Sequence, residues 1–158
     1  VGKGYAVEMV AQAAEARGLK SALISVGGNL RAIGTKPGGQ PWTAGVENPW
    51  GDDPAYIQAV ELADGDSLVI SGDYQRYFEY DGVRYAHLID LTTGCPARYV
   101  SSVAVLAHAD TGGLADALST GLFCLPEETG QTLAAQNHYA VLWMHPDETT
   151  SRSADWPQ

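Results

Sequence analysis

A pair of strand-like runs joined by Asp81-Gly82 constrains the fold more tightly than any other feature of the sequence. Residues 75–80 and 83–89 are rich in tyrosine, phenylalanine, valine and isoleucine, which are common in strands. Asp-Gly is among the dipeptides favoured in two-residue hairpin turns, because both positions need positive φ angles. The sequence therefore predicts an antiparallel hairpin here, and a sheet that contains it is at least partly antiparallel.

The rest of the chain predicts more strands than helices, and short turns join most of the strands. Further strands are predicted at 21–26, 29–33, 42–47, 55–62, 67–71, 101–107 and 139–145. Helices are predicted at 3–17, 114–124 and 127–136, so they stand in blocks at the start and near the end. This segregation predicts an α+β fold with a mainly antiparallel sheet. The length of 158 residues fits a single domain spanning 1–158.

The charge of the chain narrows its possible partners. Nine basic and 19 acidic residues give a formal net charge of −10, and the sequence contains no basic stripe. Because nucleic acid binding depends on such a stripe, we expect no nucleic acid partner. A phosphate-bearing ligand would need a divalent cation or a few well-placed cationic groups to offset the acidity. The two cysteines form neither a metal-binding motif nor a disulfide framework.

His87 is the first candidate for chemistry. It follows the run Ser71-Gly72-Asp73-Tyr74 and stands among apolar neighbours, with Asp90 three residues later. A histidine in such a place can act as a general base near neutral pH. The alternative is a strand histidine whose ring bonds to a backbone carbonyl, a purely structural role.

Asp116 and Thr120 are the second candidate. On the helix predicted at 114–124 they are four residues apart and share a face. A carboxylate and a hydroxyl are hard oxygen ligands that suit Mg²⁺, although one carboxylate needs waters and substrate phosphates to complete about six ligands. The alternative places Asp116 in the first turn, where it stabilises the helix dipole, while Thr120 bonds back to a carbonyl.

Two further segments suit an anion. Gly27-Gly28 follows a predicted strand and can form a phosphate-facing nest, although a plain hairpin turn explains it equally well. No helix follows at the spacing of a P-loop or of a dinucleotide-binding fingerprint. Lys3 stands at the start of the first predicted helix, where amides and an ammonium group together bind anions, and the alternative is a solvated lysine.

The order of these segments resembles the ApbE family of FAD:protein FMN transferases. The segments that carry the resemblance are Gly2-Lys3-Gly4-Tyr5-Ala6, Ser25-Val26-Gly27-Gly28-Asn29-Leu30, Gln40-Pro41-Trp42, Gly45-Val46-Glu47-Asn48-Pro49, Ser71-Gly72-Asp73-Tyr74, His87-Leu88-Ile89-Asp90 with Thr93-Gly94, and Ala115-Asp116-Ala117 with Ser119-Thr120. They occur in family order and extend to about Met144. The fold that the resemblance implies is an ApbE-like domain related to the T-fold.

The resemblance also implies an activity. Members of the family use Mg²⁺ to cleave FAD, transfer FMN to a threonine of an acceptor protein and release AMP; some hydrolyse FAD to FMN and AMP instead. By motif, Asp116 and Thr120 resemble the metal ligands and Lys3 a residue that faces FAD. His87 and Ile89 resemble the pair that lines the flavin pocket, and His87 resembles the base that activates the threonine hydroxyl.

The chain departs from the family pattern in two places. Leu91 stands where a proline is usual, which relaxes the loop backbone without removing a reacting group. The family's amino-terminal half, which carries part of the FAD site, is absent, and the chain begins at Val1 without an export signal. We therefore expect the carboxy-terminal part of a transferase, completed by a partner or a homo-oligomer, or else an FAD-binding module without catalysis. The resemblance implies a location in the cell envelope.

Overall fold

The computed structural model describes residues 1–108 and 111–158. Within these residues it contains three helices and twelve strands. The helices are α1 (Gly2–Ala16), α2 (Gly112–Phe123) and α3 (Glu127–Asn137). The strands are β1 (Ala22–Val26), β2 (Asn29–Ile33), β3 (Trp42–Glu47), β4 (Tyr56–Leu62), β5 (Ser67–Gly72), β6 (Tyr77–Tyr80), β7 (Val83–Ala86), β8 (Ile89–Asp90), β9 (Cys95–Pro96), β10 (Ser102–Ala107), β11 (Ala140–Met144) and β12 (Thr150–Arg152). None of these helices is long and apolar enough to cross a membrane.

Six of the strands form one sheet in the order β1-β2-β5-β10-β11-β12, and each neighbouring pair is antiparallel. The pairs β3–β4, β6–β7 and β8–β9 form small antiparallel sheets of their own. The hairpin predicted at Asp81-Gly82 is present, with Tyr80 opposite Val83. The prediction of an α+β fold with a mainly antiparallel sheet is confirmed.

Strand β10 shows how the sheet separates two cores. Side chains alternate between the faces of a strand, so every second residue of β10 lies on the same side. Val103 and Val105 pack in one buried cluster with Phe123 of α2. Ala104 and Leu106 pack in the other cluster, which the β3–β4 hairpin supplies with further buried side chains. Helices therefore cover one face of the sheet, and the β3–β4 hairpin covers part of the opposite face.

The structure corrects the boundaries of several predicted elements, including the strand predicted at 75–80, which starts at Tyr77. The strand predicted at 83–89 ends at Ala86, because the chain then leaves the β6–β7 ladder and pairs Ile89 with Pro96 in the β8–β9 sheet. His87 consequently lies between two strands. Helix α2 starts at Gly112, two residues before the predicted start. The sequence also gave no sign of β12, a three-residue edge strand beside β11.

Helix α1 is attached to the domain by two buried contacts. Arg31 of β2 is 1% exposed, and its Nε lies 3.2 Å from the carboxylate of Glu8, which is equally buried on the inner face of α1. At its amino end, α1 crosses α2 so closely that only glycine fits at position 4. A Cβ added to Gly4 would lie 2.5 Å from both the Asp116 Cβ and the Gly112 carbonyl oxygen. The crossing therefore sets the position of Asp116 relative to the start of α1.

The Gly4→Ala variant is expected to lower the free energy of unfolding by about 1–3 kcal/mol, because the added methyl group overpacks the helix crossing. Gly2→Ala is the matched control, since a Cβ at Gly2 meets no atom within 4 Å. The control should be neutral or gain up to about 1 kcal/mol from the better helix former. Urea denaturation measures both, and equal midpoints for the two variants would contradict the close crossing.

Candidate active site

A cavity of about 520 Å³ opens beside the amino end of α1, the turn between β1 and β2, and the end of β5. Lys3, His87, Asp116 and Thr120 all belong to its wall, although they come from three distant parts of the chain. Ile89 is the one predicted site residue that the wall does not include. It lies on β8 and is 44% exposed. The structure thus brings four of the five predicted residues together.

The glycine pair forms the tight turn between β1 and β2. Val26 pairs with Asn29, and Gly27 and Gly28 have φ angles of +48° and +86°, as a two-residue hairpin turn of this type requires. The hairpin interpretation of the pair is therefore the correct one. The Lys3 ammonium group donates a hydrogen bond to the Gly27 carbonyl. This contact holds the exposed lysine against the cavity wall.

Asp116 binds the start of a helix other than its own. Because α2 starts at Gly112, Asp116 lies in the second turn of the helix and not in the first. The prediction that Asp116 stabilises the dipole of its own helix from the first turn is therefore wrong. Its Oδ2 accepts a hydrogen bond of 2.8 Å from the Gly4 amide and lies 2.9 Å from the Val1 amino group. The carboxylate thereby satisfies a free amide in the first turn of α1. Its Oδ1 makes no hydrogen bond with the described residues.

Hydroxyl groups of α2 and β5 cluster beside the main-chain carbonyl of Asp116. Thr120 donates a hydrogen bond of 3.2 Å to the Asp116 carbonyl, as the structural alternative predicted. The Ser71 hydroxyl lies 2.8 Å from that of Ser119 and 3.4 Å from that of Thr120. Ser71 is a member of this cluster that the sequence did not single out as a ligand. It reaches the cluster because β5 lies against α2, which residue spacing alone does not reveal.

The oxygen cluster fits a magnesium ion that is only partly held by protein. The available donors are one free carboxylate oxygen of Asp116 and the Thr120 hydroxyl, both of the hard type that Mg²⁺ prefers. Among the described residues there is no group of three or more His, Cys, Asp or Glu side chains that would hold a metal unaided. An ion at this place would therefore take most of its ligands from water or from a phosphate-bearing ligand.

His87 is exposed at the cavity wall and is oriented by the backbone of Arg76. Its Nδ1 lies 3.2 Å from the Arg76 carbonyl oxygen, which also accepts the His87 amide at 3.2 Å. Since a carbonyl can only accept, the neutral ring carries its proton on Nδ1 and a lone pair on Nε2. The carbonyl contact expected of a structural histidine thus exists, and it leaves Nε2 free to act as a base.

Asp90 does not support His87 directly. Its carboxylate accepts hydrogen bonds from the Thr92 amide at 2.8 Å and the Tyr99 hydroxyl at 3.1 Å. The bond from the Thr92 amide, followed by that from Tyr99, holds the pKa of Asp90 below its usual value of 3.8. Asp90 therefore fixes the turn after β8, and the sequence proximity of His87 and Asp90 does not reflect a contact.

Asp90→Asn is expected to destabilise the protein at neutral pH and to lose this effect in acid. Because the pKa of Asp90 is lower in the folded state than in the unfolded state, the ionised carboxylate stabilises the fold at pH values above 3.8. That contribution disappears as the pH falls below 3.8 and through the folded-state pKa. Urea midpoints at neutral and acidic pH measure the difference. The control is Asp52→Asn, which changes an exposed aspartate without a hydrogen bond to the described residues and should leave the urea midpoint at neutral pH as in the wild type.

The wall also includes residues that the sequence did not identify as a group. The Tyr74 hydroxyl donates to Glu47 Oε2 at 2.7 Å, and Gln75 donates to the same oxygen at 2.9 Å. Burial, and then the bond to Glu47, raise the pKa of Tyr74. Tyr74 packs over Gly72 and Tyr56 packs over Gly45, each so closely that a Cβ on the glycine would collide with the ring. Two flat aromatic surfaces therefore face the cavity.

The fold and the site together define a class: α+β domains in which an antiparallel sheet carries an oxygen-rich cavity with flat aromatic walls. Within that class the sequence matches the ApbE family over residues 1–143. The chain therefore belongs to the ApbE family, and the resemblance carried by its ordered motifs is confirmed. The match includes all five predicted site residues.

Relatives of known sequence and structure agree with this assignment. The chain is 38% identical to the FAD:protein FMN transferase of Vibrio cholerae over 143 residues. The aligned region covers 90% of this chain and 42% of that protein. It is 37% identical to the enzyme of the same name from Haemophilus influenzae, of which it covers 40%. The crystal structure of the ApbE protein of Thermotoga maritima superposes with a TM-score of 0.85 at 38% identity, over 96% of this chain and 49% of that one. The apo flavinyl transferase ApbE of Pseudomonas stutzeri gives a TM-score of 0.80 at 36% identity. The chain thus spans less than half the length of these relatives.

Proposed function

We propose that the protein transfers FMN from FAD to a threonine hydroxyl of an acceptor protein and releases AMP, in a reaction that depends on Mg²⁺. One observation carries the proposal: a single cavity collects a free histidine Nε2, a carboxylate with a neighbouring hydroxyl, and a lysine. These are the groups that deprotonating a hydroxyl and stabilising a pyrophosphate require. Relatives at 37–38% identity are named FAD:protein FMN transferase, which supports the same reaction.

Each residue has a role in this proposal. Asp116 and Thr120 would hold Mg²⁺, which neutralises charge on the pyrophosphate oxygens when it is bound. Lys3 is the cationic side chain of the wall beside the Gly27-Gly28 turn, and its bond to the Gly27 carbonyl holds it there. His87 Nε2 accepts the proton as the threonine oxygen bonds to the phosphorus of the FMN half. AMP then leaves with the electron pair of the broken P–O bond, while Tyr56 and Tyr74 offer the flat surfaces suited to an aromatic ring system.

The proposal is tested by incubating the full-length protein with FAD, Mg²⁺ and cell-envelope proteins of its source. A fluorescent, covalently bound flavin on a protein band, located by mass spectrometry on a threonine, is the expected result. A control with EDTA in place of Mg²⁺ should show no band. Release of AMP and free FMN without any labelled protein would indicate an FAD pyrophosphatase instead. Binding of FAD without AMP release would indicate a binding module and would contradict the proposal.

A further inference from the structure

Arg76 is a charged residue of the cavity wall that neither holds the metal ion nor accepts the proton in the proposed transfer. It immediately precedes β6, and its carbonyl oxygen accepts both hydrogen bonds that orient His87. These two bonds hold the Arg76 backbone next to the imidazole ring. Arg76 also lines the same cavity as His87, so its position places a cation on the wall beside the imidazole ring.

The Arg76 side chain is exposed and lacks a partner. Within residues 1–108 and 111–158, its guanidinium group makes no hydrogen bond, ion pair or ring contact. The two other arginines near the hairpin are engaged: Arg84 pairs with Asp73 and lies over the Tyr77 ring, and Arg98 lies over the Tyr85 ring. Arg76 therefore differs from its neighbours in having its full donor capacity available at the cavity.

The charges of the cavity wall make that capacity useful. The side chains of the wall include two acids, Glu47 and Asp116, and two permanent cations, Lys3 and Arg76. Lys3 already donates to the Gly27 carbonyl. A pyrophosphate in this cavity would gain negative charge on its non-bridging oxygens as it reacts. A planar guanidinium group can donate two parallel hydrogen bonds to such oxygens. Arg76 is the cation of the wall best able to provide them.

We propose that the Arg76 guanidinium group binds the non-bridging oxygens of the phosphorus that is attacked, beside His87, and is a catalytic residue of the transfer. The inference rests on the proposed FMN transfer and adds a residue to it. During the step, the threonine oxygen bonds to phosphorus, the bond to the AMP oxygen breaks, and the proton goes to His87. Arg76 neither gains nor loses a proton; it stabilises the charge that accumulates on the phosphoryl oxygens.

The test is the steady-state rate of AMP release from FAD by the full-length protein, with Mg²⁺ and the unmodified acceptor protein that the flavin-labelling experiment identifies. We expect Arg76→Gln to lower kcat by about 10²–10³-fold, below the largest effects known for arginines that stabilise phosphoryl transfer. The KM for FAD should change by less than about threefold, because the contact strengthens in the transition state. Arg76→Lys should recover only part of the rate, since a lysine cannot form two parallel bonds. Added guanidinium ion should restore part of the rate of Arg76→Gly.

Three controls make the outcome decisive. Arg98→Gln removes an arginine of the same region that lies outside the cavity wall, and it should retain the wild-type rate. Arg76→Gln keeps the Arg76 carbonyl and therefore the orientation of His87. The pH dependence of kcat should therefore be unchanged in this variant, while kcat itself falls. Urea unfolding should show wild-type stability, because the side chain makes no contact to lose.

The proposal is overturned if Arg76→Gln reacts as fast as Arg98→Gln, if only the KM for FAD rises, or if guanidinium ion fails to rescue Arg76→Gly. A shifted pH profile would make Arg76 a positioning residue for His87 and would also overturn it. If the wild-type protein itself releases no AMP from FAD, the proposed function fails, and that result is distinct from a failure confined to the Arg76 variants.

Discussion

Asp116→Asn is expected to lower FMN transfer by about 10³-fold or more while leaving the fold almost unchanged. In the proposed mechanism the charge of the carboxylate holds the metal ion, and metal-ion stabilisation of a phosphoryl transition state is worth several kcal/mol. The cap on α1 survives the change, because an asparagine oxygen can still accept the hydrogen bond from the Gly4 amide. Activity and stability are therefore expected to separate in this variant.

The measurement combines the rate of flavin labelling with urea denaturation. Asp64→Asn is a matched control, since Asp64 also accepts a backbone amide bond, from Gly34 at 2.6 Å, but lies outside the cavity wall. It should label the acceptor at the wild-type rate. Asp116→Ala adds a second comparison, because it removes the cap as well and should lower the free energy of unfolding by about 1–2 kcal/mol. Wild-type labelling by Asp116→Asn would show that Asp116 does not bind the metal.

His87→Gln is expected to lower the rate of transfer by about 10²–10⁴-fold, the usual effect of losing a general base. Glutamine is of similar size and can donate to the Arg76 carbonyl in place of Nδ1, but it cannot accept a proton near neutral pH. Binding of FAD should persist, because the residues proposed to hold the phosphates are unchanged. Stability should stay within about 0.5 kcal/mol of wild type, as is usual for an exposed position.

Single-turnover labelling and calorimetric titration with FAD separate these effects for His87→Gln. The control is His108→Gln, which changes another exposed histidine, one that bonds Asp66 and does not line the cavity. If His87→Gln lost FAD binding as well as transfer, His87 would act in ligand binding and not as the base. If its labelling rate matched that of the control, the assignment of the base would be wrong.

The sequence predicted the elements of this fold well because their signals are local. Hairpin turns such as Asp81-Gly82 and Gly27-Gly28, together with the strand patterns beside them, fix pairing over a few residues. Predictions failed where a distant partner decides the local structure. The strand through His87 ends early because Ile89 pairs with Pro96, and α2 starts early because Gly112 packs against Ser67 and Glu8.

Family motifs predicted residues of the candidate site, but they did not predict the long-range hydrogen bonds within it. Lys3, His87, Asp116 and Thr120 were predicted from family motifs, and the fold brings them to one cavity. The contact of Tyr74 with Glu47 could not be predicted, because the two residues are 27 positions apart, Tyr74 after the end of β5 and Glu47 at the end of β3. The interaction of Asp116 with Gly4 was missed for the same reason, since it spans 112 positions. Long-range hydrogen bonds have no signature in a single sequence.

The cap that Asp116 makes on α1 has a consequence for ion selectivity. Oδ2 of the carboxylate accepts the Gly4 amide, so Oδ1 is the oxygen without a hydrogen bond to the described residues that remains for the proposed metal ion. Calcium prefers six to eight ligands and readily takes both oxygens of a carboxylate, whereas magnesium requires a compact octahedron and is satisfied with one. In the proposed magnesium site the helix cap therefore favours a contact through one carboxylate oxygen of Asp116, which suits the smaller ion better than the larger one.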